Sequence, residues 1–302
     1  GDMIDMSQAV PGYAAHPDML SALASAAASP DNARYGRVEG DDNLRAAYAH
    51  HLSTLYATDV QPEHTHITSG CNQAFCSVIA TIAKPGDNII VPSPWYFNHK
   101  MWLDMAAINT LPLPLDKTML PIIDRVEDLV DKKTKAIVLV TPNNPTGLEY
   151  PDKLLLDFYK IAQKNNLLLI VDETYRDFHS RNNPIHNLFK ESDWKDTLVS
   201  LYSFSKAYRL TGHRVGAIIT NEKRLQQIEK FLDSVTICPN QLGQVAALYG
   251  LKNSSSWLEQ ERIEILNRQN KIKEGFKILS NWKLKGCGAY FAYVENPFNI
   301  SS

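Results

Sequence analysis

Between residues 64 and 220 the chain alternates two kinds of apolar pattern, and that alternation restricts the fold more than any other feature. The runs "NIIVPS", "AIVLVT", "LLLIVD", "LVSLY" and "VGAIIT" are rich in branched aliphatic residues and too short for buried helices, so they read as strands. The stretches "NQAFCSVIATIA" and "YPDKLLLDFYKIAQKNN" read as helices. Such alternation predicts an α/β domain with a mostly parallel sheet and helices on both faces. Sheets of that kind bind ligands at the carboxyl ends of their strands. The polar residues that need explaining fall there: Ser69 and Gly70 before the first helix, then Pro94 to Asn98, Asn143 to Gly147, Asp172 to Tyr175, and Ser203 to Lys206.

Past "FLDSVTICPNQ" the pattern changes to long helical stretches near 240–251 and 256–279, followed by the strand-like "GAYFAYV". The organisation expected is a large domain over 35–240 and a smaller α+β domain over 241–302 that is incomplete at its C-terminus. Residues 1–34 are expected to pack with the small domain, the alanine-rich "SALASAAAS" as plain helix.

Several function classes lose support. Lysine plus arginine number 31 against 33 acidic residues, scattered along the chain, which leaves no footprint for nucleic acid or an anionic membrane. No apolar stretch approaches the roughly 20 residues that span a bilayer, and no signal-peptide pattern opens the chain. The four cysteines form no CxxC pair, which fits a reducing compartment, and a cytoplasmic protein is expected. The nine histidines lack metal-ligand spacing and read as solvated or capping, with no metal site. Nucleophile-elbow, P-loop and Rossmann glycine motifs are all missing.

Lys206 lies in "SFSKAYRLTGHR", in a turn between two apolar strands, an unusual place for a lysine whose only role is to be solvated. "TSGCNQAF" puts Ser69, Gly70, Cys71 and Asn72 at a helix start, where free N–H groups and the dipole favour an anion, although taken alone the motif is better explained by plain capping by Ser69. Ser203 and Arg214 offer a hydroxyl and a permanent cation. Asp172 closes the strand "LLLIVD", where a buried carboxylate needs either a cation or a turn to cap. Tyr175 and Asn144 can donate to a phenolic oxygen or serve turn chemistry, and Tyr96 reads as core or as a stacking platform.

Taken in order, "ARYGRVEGDDNLRAAYAHHL", "ITSGCNQAF", "KPGDNIIVPSPWYFNH", "VTPNNPTG", "LLLIVDETY", "SFSKAYRLTGHRVG" and "GAYFAYV" resemble the fold type I pyridoxal-phosphate enzymes, class I and II aminotransferases of the aspartate aminotransferase superfamily in particular. The resemblance implies pyridoxal 5'-phosphate as cofactor and Lys206 as its Schiff-base lysine. It implies Asp172 at the pyridinium nitrogen, Tyr175 and Asn144 at the phenolic oxygen, and Tyr96 stacked on the ring. Gly70, Cys71, Asn72, Ser203 and Arg214 would hold the phosphate, with Ser205 a further member. Tyr35 would reach the phosphate of a neighbouring subunit, which implies a homodimer. Ala9 stands where the family often places a glycine near the substrate, beside Tyr96 and Asn144. The family's substrate-carboxylate arginine belongs to a C-terminal segment outside this chain.

The activity so implied is transfer of the amino group of an L-amino acid to a 2-oxo acid. Carbon–sulfur lyases and other α,β-eliminating enzymes share the same lysine and electron sink, so that alternative stays open. A ligand-sensing aminotransferase-like regulator domain is a third reading, against which stands the lack of a basic winged-helix segment before "MIDMSQAV". "FLDSVTICPNQLGQ", where relatives that take dicarboxylic substrates place an arginine, contains neither lysine nor arginine, and predicts a neutral, apolar or aromatic amino donor.

Overall fold

A computed structural model describes residues 6–182 and 184–298, so positions 1–5 and 299–302 of the expected terminal segments lie outside the described residues. The first half of the chain runs α1 (Pro17–Ala27), α2 (Asp42–Tyr56), β1 (Thr65–Thr68), α3 (Cys71–Ile82), β2 (Asn88–Pro92), α4 (Phe97–Met105), β3 (Asn109–Leu113), α5 (Val126–Leu129) and β4 (Thr134–Val140). Next come α6 (Asp152–Lys164), β5 (Leu168–Asp172), α7 (Trp194–Thr197), β6 (Leu198–Ser203), α8 (Phe204–Ala207) and β7 (Gly216–Ile219). The chain continues through α9 (Glu222–Val235), α10 (Gln241–Asn253), α11 (Ser255–Lys277), β8 (Lys283–Gly288) and β9 (Phe291–Glu295).

The strands β1 to β7 form one sheet in the order β1-β7-β6-β5-β4-β2-β3. β7 pairs antiparallel with β1 and β6, and the other neighbours are parallel. Two reversals leave β1 pointing the same way as β6. The carboxyl ends of β1, β2, β4, β5 and β6 and the amino end of β7 therefore share one edge, where the polar loops gather.

Alternation along the strands splits the core in two. Ile137, Leu139, Leu169 and Val171 face α2 and α6, which bring Leu52, Phe158 and Tyr159. Ala136, Val138, Ile170 and Leu201 face α3, α4 and α9, which bring Phe75, Val78, Leu103 and Ile228. Both faces are covered by helix, which is why these strands read as continuous apolar runs rather than alternating ones. Asp41 caps α2 by accepting from Leu44 N at 2.9 Å, and Asn221 caps α9 by accepting from Arg224 N at 2.8 Å. Among the described residues no helix is long and apolar enough to cross a membrane.

The sequence reading differs from the structure at particular elements. Lys206 sits in the one-turn helix α8 rather than an open turn. "GAYFAYV" is not one strand: Gly288 ends β8, Ala289 turns with φ +46°, and β9 begins at Phe291. β1, β3 and β8 go unannounced because "THIT" is short and polar, β3 is a half-exposed edge strand, and "KLKGCG" lacks an apolar period. α1 packs on α10, and α10 on α2. The β8–β9 hairpin docks on the turn after β4 by direct backbone approach: a Cβ on Gly288 would fall 2.0 Å from Gly147 O.

Candidate active site

At one end of the shared edge, the β1–α3 turn is built for close approach. Gly70 is the N-cap of α3 with φ +87°, so the capping position belongs to a glycine and not to Ser69. Ser69 instead gives its backbone N–H to Gln73 Oε1 at 2.7 Å. The guanidinium of Arg214 lies directly on Gly70, where a Cβ would come 2.2 Å from Nη2. Arg214 Nη1 donates to Ser205 Oγ at 3.1 Å and to Thr211 O at 2.9 Å, which fixes the side chain in that place. In β7, Gly216 stands between Thr68 and Ser203, and a Cβ there would lie 2.6 Å from Cys71 N. Two glycines thus let an arginine and a strand close on the unpaired N–H groups that open α3, a cradle for an anion.

The same cavity holds a buried carboxylate. Asp172 is 3% exposed, and its Oδ1 accepts from Thr174 N at 3.0 Å and Thr174 Oγ1 at 2.7 Å. Its Oδ2 lies 3.3 Å from His99 Nε2. Burial pushes this carboxyl up, but His99 and Thr174 together outweigh burial and hold it below the ordinary aspartate value. The turn chemistry open in the sequence is real, since Thr174 takes one oxygen. The other oxygen, with His99 on one side, keeps acceptor capacity for a cation at the cavity.

Lys206 lines the same cavity. Burial, and after it the positive charge of Arg214, pushes its amine below the ordinary lysine value, as a nucleophile requires. Nζ donates to Ala9 O at 2.5 Å and lies 5.7 Å from the centroid of the Tyr175 ring. Burial, then the Asp172 charge, raises the Tyr175 phenol well above its ordinary value. The Tyr96 phenol is pushed up to about 12 by the same two causes in the same order. Tyr96 accepts from Asn98 Nδ2 at 2.8 Å. In "NNPTG" the two asparagines divide the work: Asn143 accepts from Thr146 N at 3.1 Å and Oγ1 at 2.8 Å to build the turn, leaving Asn144 at the cavity wall.

One cavity of about 580 Å³ collects Ala9, Cys71, Asn72, Tyr96, Asn144, Asp172, Tyr175, Ser203, Ser205, Lys206 and Arg214. Gly70 lies beneath Arg214. Tyr35 is 79% exposed and outside the cavity wall. The wall also contains residues the sequence reading passed over: Ser7, Gln8, Val10, Phe97, Val140, Thr174, Thr211 and Phe291. The reading of the histidines as solvated or capping holds for His16, which accepts from Asp18 N at the start of α1, and for His64, which accepts from Gln61 N at 3.1 Å. His99 corrects it, being 1% exposed and stacked on Phe75 at 3.9 Å, and His66, His179 and His186 are buried as well. Aromatic and carboxylate neighbours brought together by the fold account for this, and His99 in "WYFNHK" carries no spacing signal that would single it out. Among the described residues no cluster of His, Cys, Asp or Glu is placed to hold a metal ion. A carboxylate, an anion cradle and a lysine of lowered basicity around one cavity fit a flat molecule with a cationic ring nitrogen and a phosphate.

Comparison with known proteins agrees with that fit. The family model for aminotransferase class I and II matches residues 1–297. An aspartate aminotransferase of Thermotoga maritima is 30% identical over 269 residues, covering 88% of this chain and 68% of that enzyme. An aromatic aminotransferase of Arabidopsis thaliana is 28% identical over 274 residues, covering 87% of this chain and 67% of that enzyme. The substrate-bound structure of BacF from Bacillus subtilis superposes with a TM-score of 0.91 at 25% identity, over 99% of this chain and 77% of that one.

Proposed function

This chain belongs to the class I and II aminotransferases, and from that premise we propose that it is a pyridoxal-phosphate enzyme that moves the amino group of a neutral L-amino acid, apolar or aromatic, onto a 2-oxo acid. The observation that carries the reading is the convergence of Lys206, Asp172 and Arg214 on one cavity at the carboxyl edge of the sheet. When bound, pyridoxal phosphate supplies the electron sink that makes the α-proton of an amino acid removable. Arg214, Ser203, Ser205 and the first N–H groups of α3 would hold its phosphate. Asp172, kept ionised, would keep the ring nitrogen protonated. Asn144 and Tyr175 would reach the phenolic oxygen, with Tyr96 against the ring. Lys206 would tether the cofactor and, as a free amine, take the proton from the substrate α-carbon at Nζ. Tyr35, exposed here, would serve the site of a second copy in a homodimer.

The donor preference is supported by charge. Lys206 and Arg214 are the cations of the cavity wall, and both are engaged by the cofactor in this reading. Phe231 to Gln244 holds no lysine or arginine, while Val10, Phe97 and Phe291 offer apolar surface. A second carboxylate would lose its hydration without gaining a partner.

The test uses purified protein supplied with pyridoxal phosphate. Borohydride reduction followed by peptide mapping should fix the cofactor on Lys206. Methionine, leucine and phenylalanine should then exceed aspartate in kcat/KM by about tenfold or more, ~1.4 kcal/mol, with 2-oxoglutarate as acceptor. A higher kcat/KM for aspartate defeats the pocket reading. With cysteine or cystathionine as substrate, whose sulfur leaves from Cβ, release of pyruvate and ammonia without amino transfer would mark an eliminating enzyme instead.

A further inference from the structure

Residues 7–10 form part of the cavity wall, yet they belong to no helix or strand, and Met6, Val10 and Tyr13 are half exposed or more. Something other than burial of this stretch has to hold it over Lys206. Arg209 reaches it from below. Nη1 of Arg209 donates to Ala14 O at 2.9 Å, and the guanidinium carbon lies 5.3 Å from the centroid of the Tyr13 ring. The same guanidinium lies 5.3 Å from the Trp257 ring and pairs through Nη2 with Glu261, both on α11. Arg268, two turns along α11, adds a second cation 5.8 Å from Tyr13. His16 meets Trp257 edge to face at 5.8 Å.

The backbone of Arg209 closes the lysine's own turn, since its N–H donates to Lys206 O at 3.2 Å. It does so with φ +55°, a conformation uncommon for a residue with a side chain. α11 leads on to the β8–β9 hairpin, which delivers Phe291 to the opposite wall. One side chain therefore joins the lysine turn to the two parts of the chain, the N-terminal segment and α11 with its hairpin, that carry Ala9, Val10 and Phe291 to the cavity wall. We infer that Arg209 is a positioning residue: it clasps the N-terminal segment and α11 to the Lys206 turn, and so sets the substrate-side walls without touching substrate. Arginine suits this because its planar fork serves a carbonyl and a carboxylate while its face lies on aromatic rings; a lysine ammonium can keep the charge but not the stacking.

The kinetic arm of the test rests on the proposed transaminase activity, and the proteolytic arm does not. In Arg209→Ala the rate of proteinase K cleavage within residues 6–16 of the folded protein, followed by mass spectrometry, should rise about tenfold, because cleavage follows the open population of the segment. KM for the preferred neutral donor should rise about tenfold with kcat changed by less than about threefold. Arg209→Lys should recover part of both effects. Unchanged cleavage in Arg209→Ala overturns the clasp. So does a lowered melting temperature with KM unmoved, which would make Arg209 merely structural. Should the wild-type protein transfer no amino group, the activity reading fails by itself and the cleavage comparison decides the clasp.

Discussion

Asp172 and Glu173 are consecutive carboxylates at the end of β5, both nearly inaccessible, and the molecule uses them in opposite ways. Glu173 points away from the cavity into a closed polar cluster. Its Oε1 accepts from Tyr56 Oη and lies 3.1 Å from His186 Nε2, and its Oε2 accepts from Ser200 Oγ at 2.7 Å. Tyr56 and His186 stack with ring centroids 4.4 Å apart. Burial pushes the Glu173 carboxyl up, but His186, Arg176 and Tyr56 prevail and hold it at about 2. Asp172 has Thr174 on one oxygen and His99 Nε2 3.3 Å from the other, and it stands on the cavity wall with acceptor capacity to spare. A carboxylate saturated by the protein stabilises the fold; one left with spare acceptor capacity, still ionised, is available to a ligand.

The comparison breaks most visibly at Asp172. Asp172→Asn keeps an oxygen for Thr174, so stability should change by less than about 1 kcal/mol. Its turnover should fall about a thousandfold, ~4 kcal/mol of transition-state stabilisation, because a neutral amide no longer holds a proton on the cofactor ring. Steady-state kinetics and urea unfolding on the same preparation check both halves. Near-normal turnover would remove Asp172 from the chemistry.

Glu173→Gln should invert that pattern. An amide NH₂ must then face one of the donors Tyr56 and Ser200, and the buried polar neighbours lose their anion, which costs about 3 kcal/mol of folding free energy. Turnover per folded molecule should stay within about threefold. Unfolding curves and active-site-normalised rates measure this. A large rate loss at unchanged stability would mean that the cluster reaches the reacting atoms.

The sequence resolves these two carboxylates unequally. Asp172 closes a buried apolar run, and a charge there demands an explanation, so it is legible as a site residue. Glu173 draws its meaning from Tyr56 and Ser200, which lie 117 and 27 positions away, and from His186, which no local pattern pairs with it. The same holds for the cavity. Lys206, Asn144 and Arg214 stand in connections between strands, Lys206 in the one-turn helix α8, and the apolar alternation already marks those strands. Ser7, Gln8 and Phe291 reach the wall by long returns of the chain that leave no periodic trace. The central sheet is legible because burial on both faces writes itself into composition; the cover over the site depends on contacts such as those of Arg209, and these are written only in three dimensions.

The finest test of the comparison removes one hydrogen bond from the closed cluster. Ser200→Ala takes away the donor to Glu173 Oε2 and should cost about 1–2 kcal/mol near pH 7, since a bond to a buried charge is worth more than a neutral one. The sign of its pH dependence follows from linkage. Glu173 is held at about 2 in the folded protein against an ordinary glutamate value of 4.5, so the unfolded chain binds the extra proton between those values. The stabilisation it provides is complete above that window and is lost as pH falls through it. Deleting one partner raises the folded value toward 4.5, so the variant has less of this stabilisation to lose. The stability gap between wild type and Ser200→Ala should therefore be widest above about pH 5 and narrow as pH falls toward 3. Urea unfolding at pH 7, 4 and 3 gives the three points. A gap that widens on acidification would show that Ser200 does not favour the ionised carboxylate, and Glu173 would then be buried with its charge less fully met than the comparison with Asp172 requires.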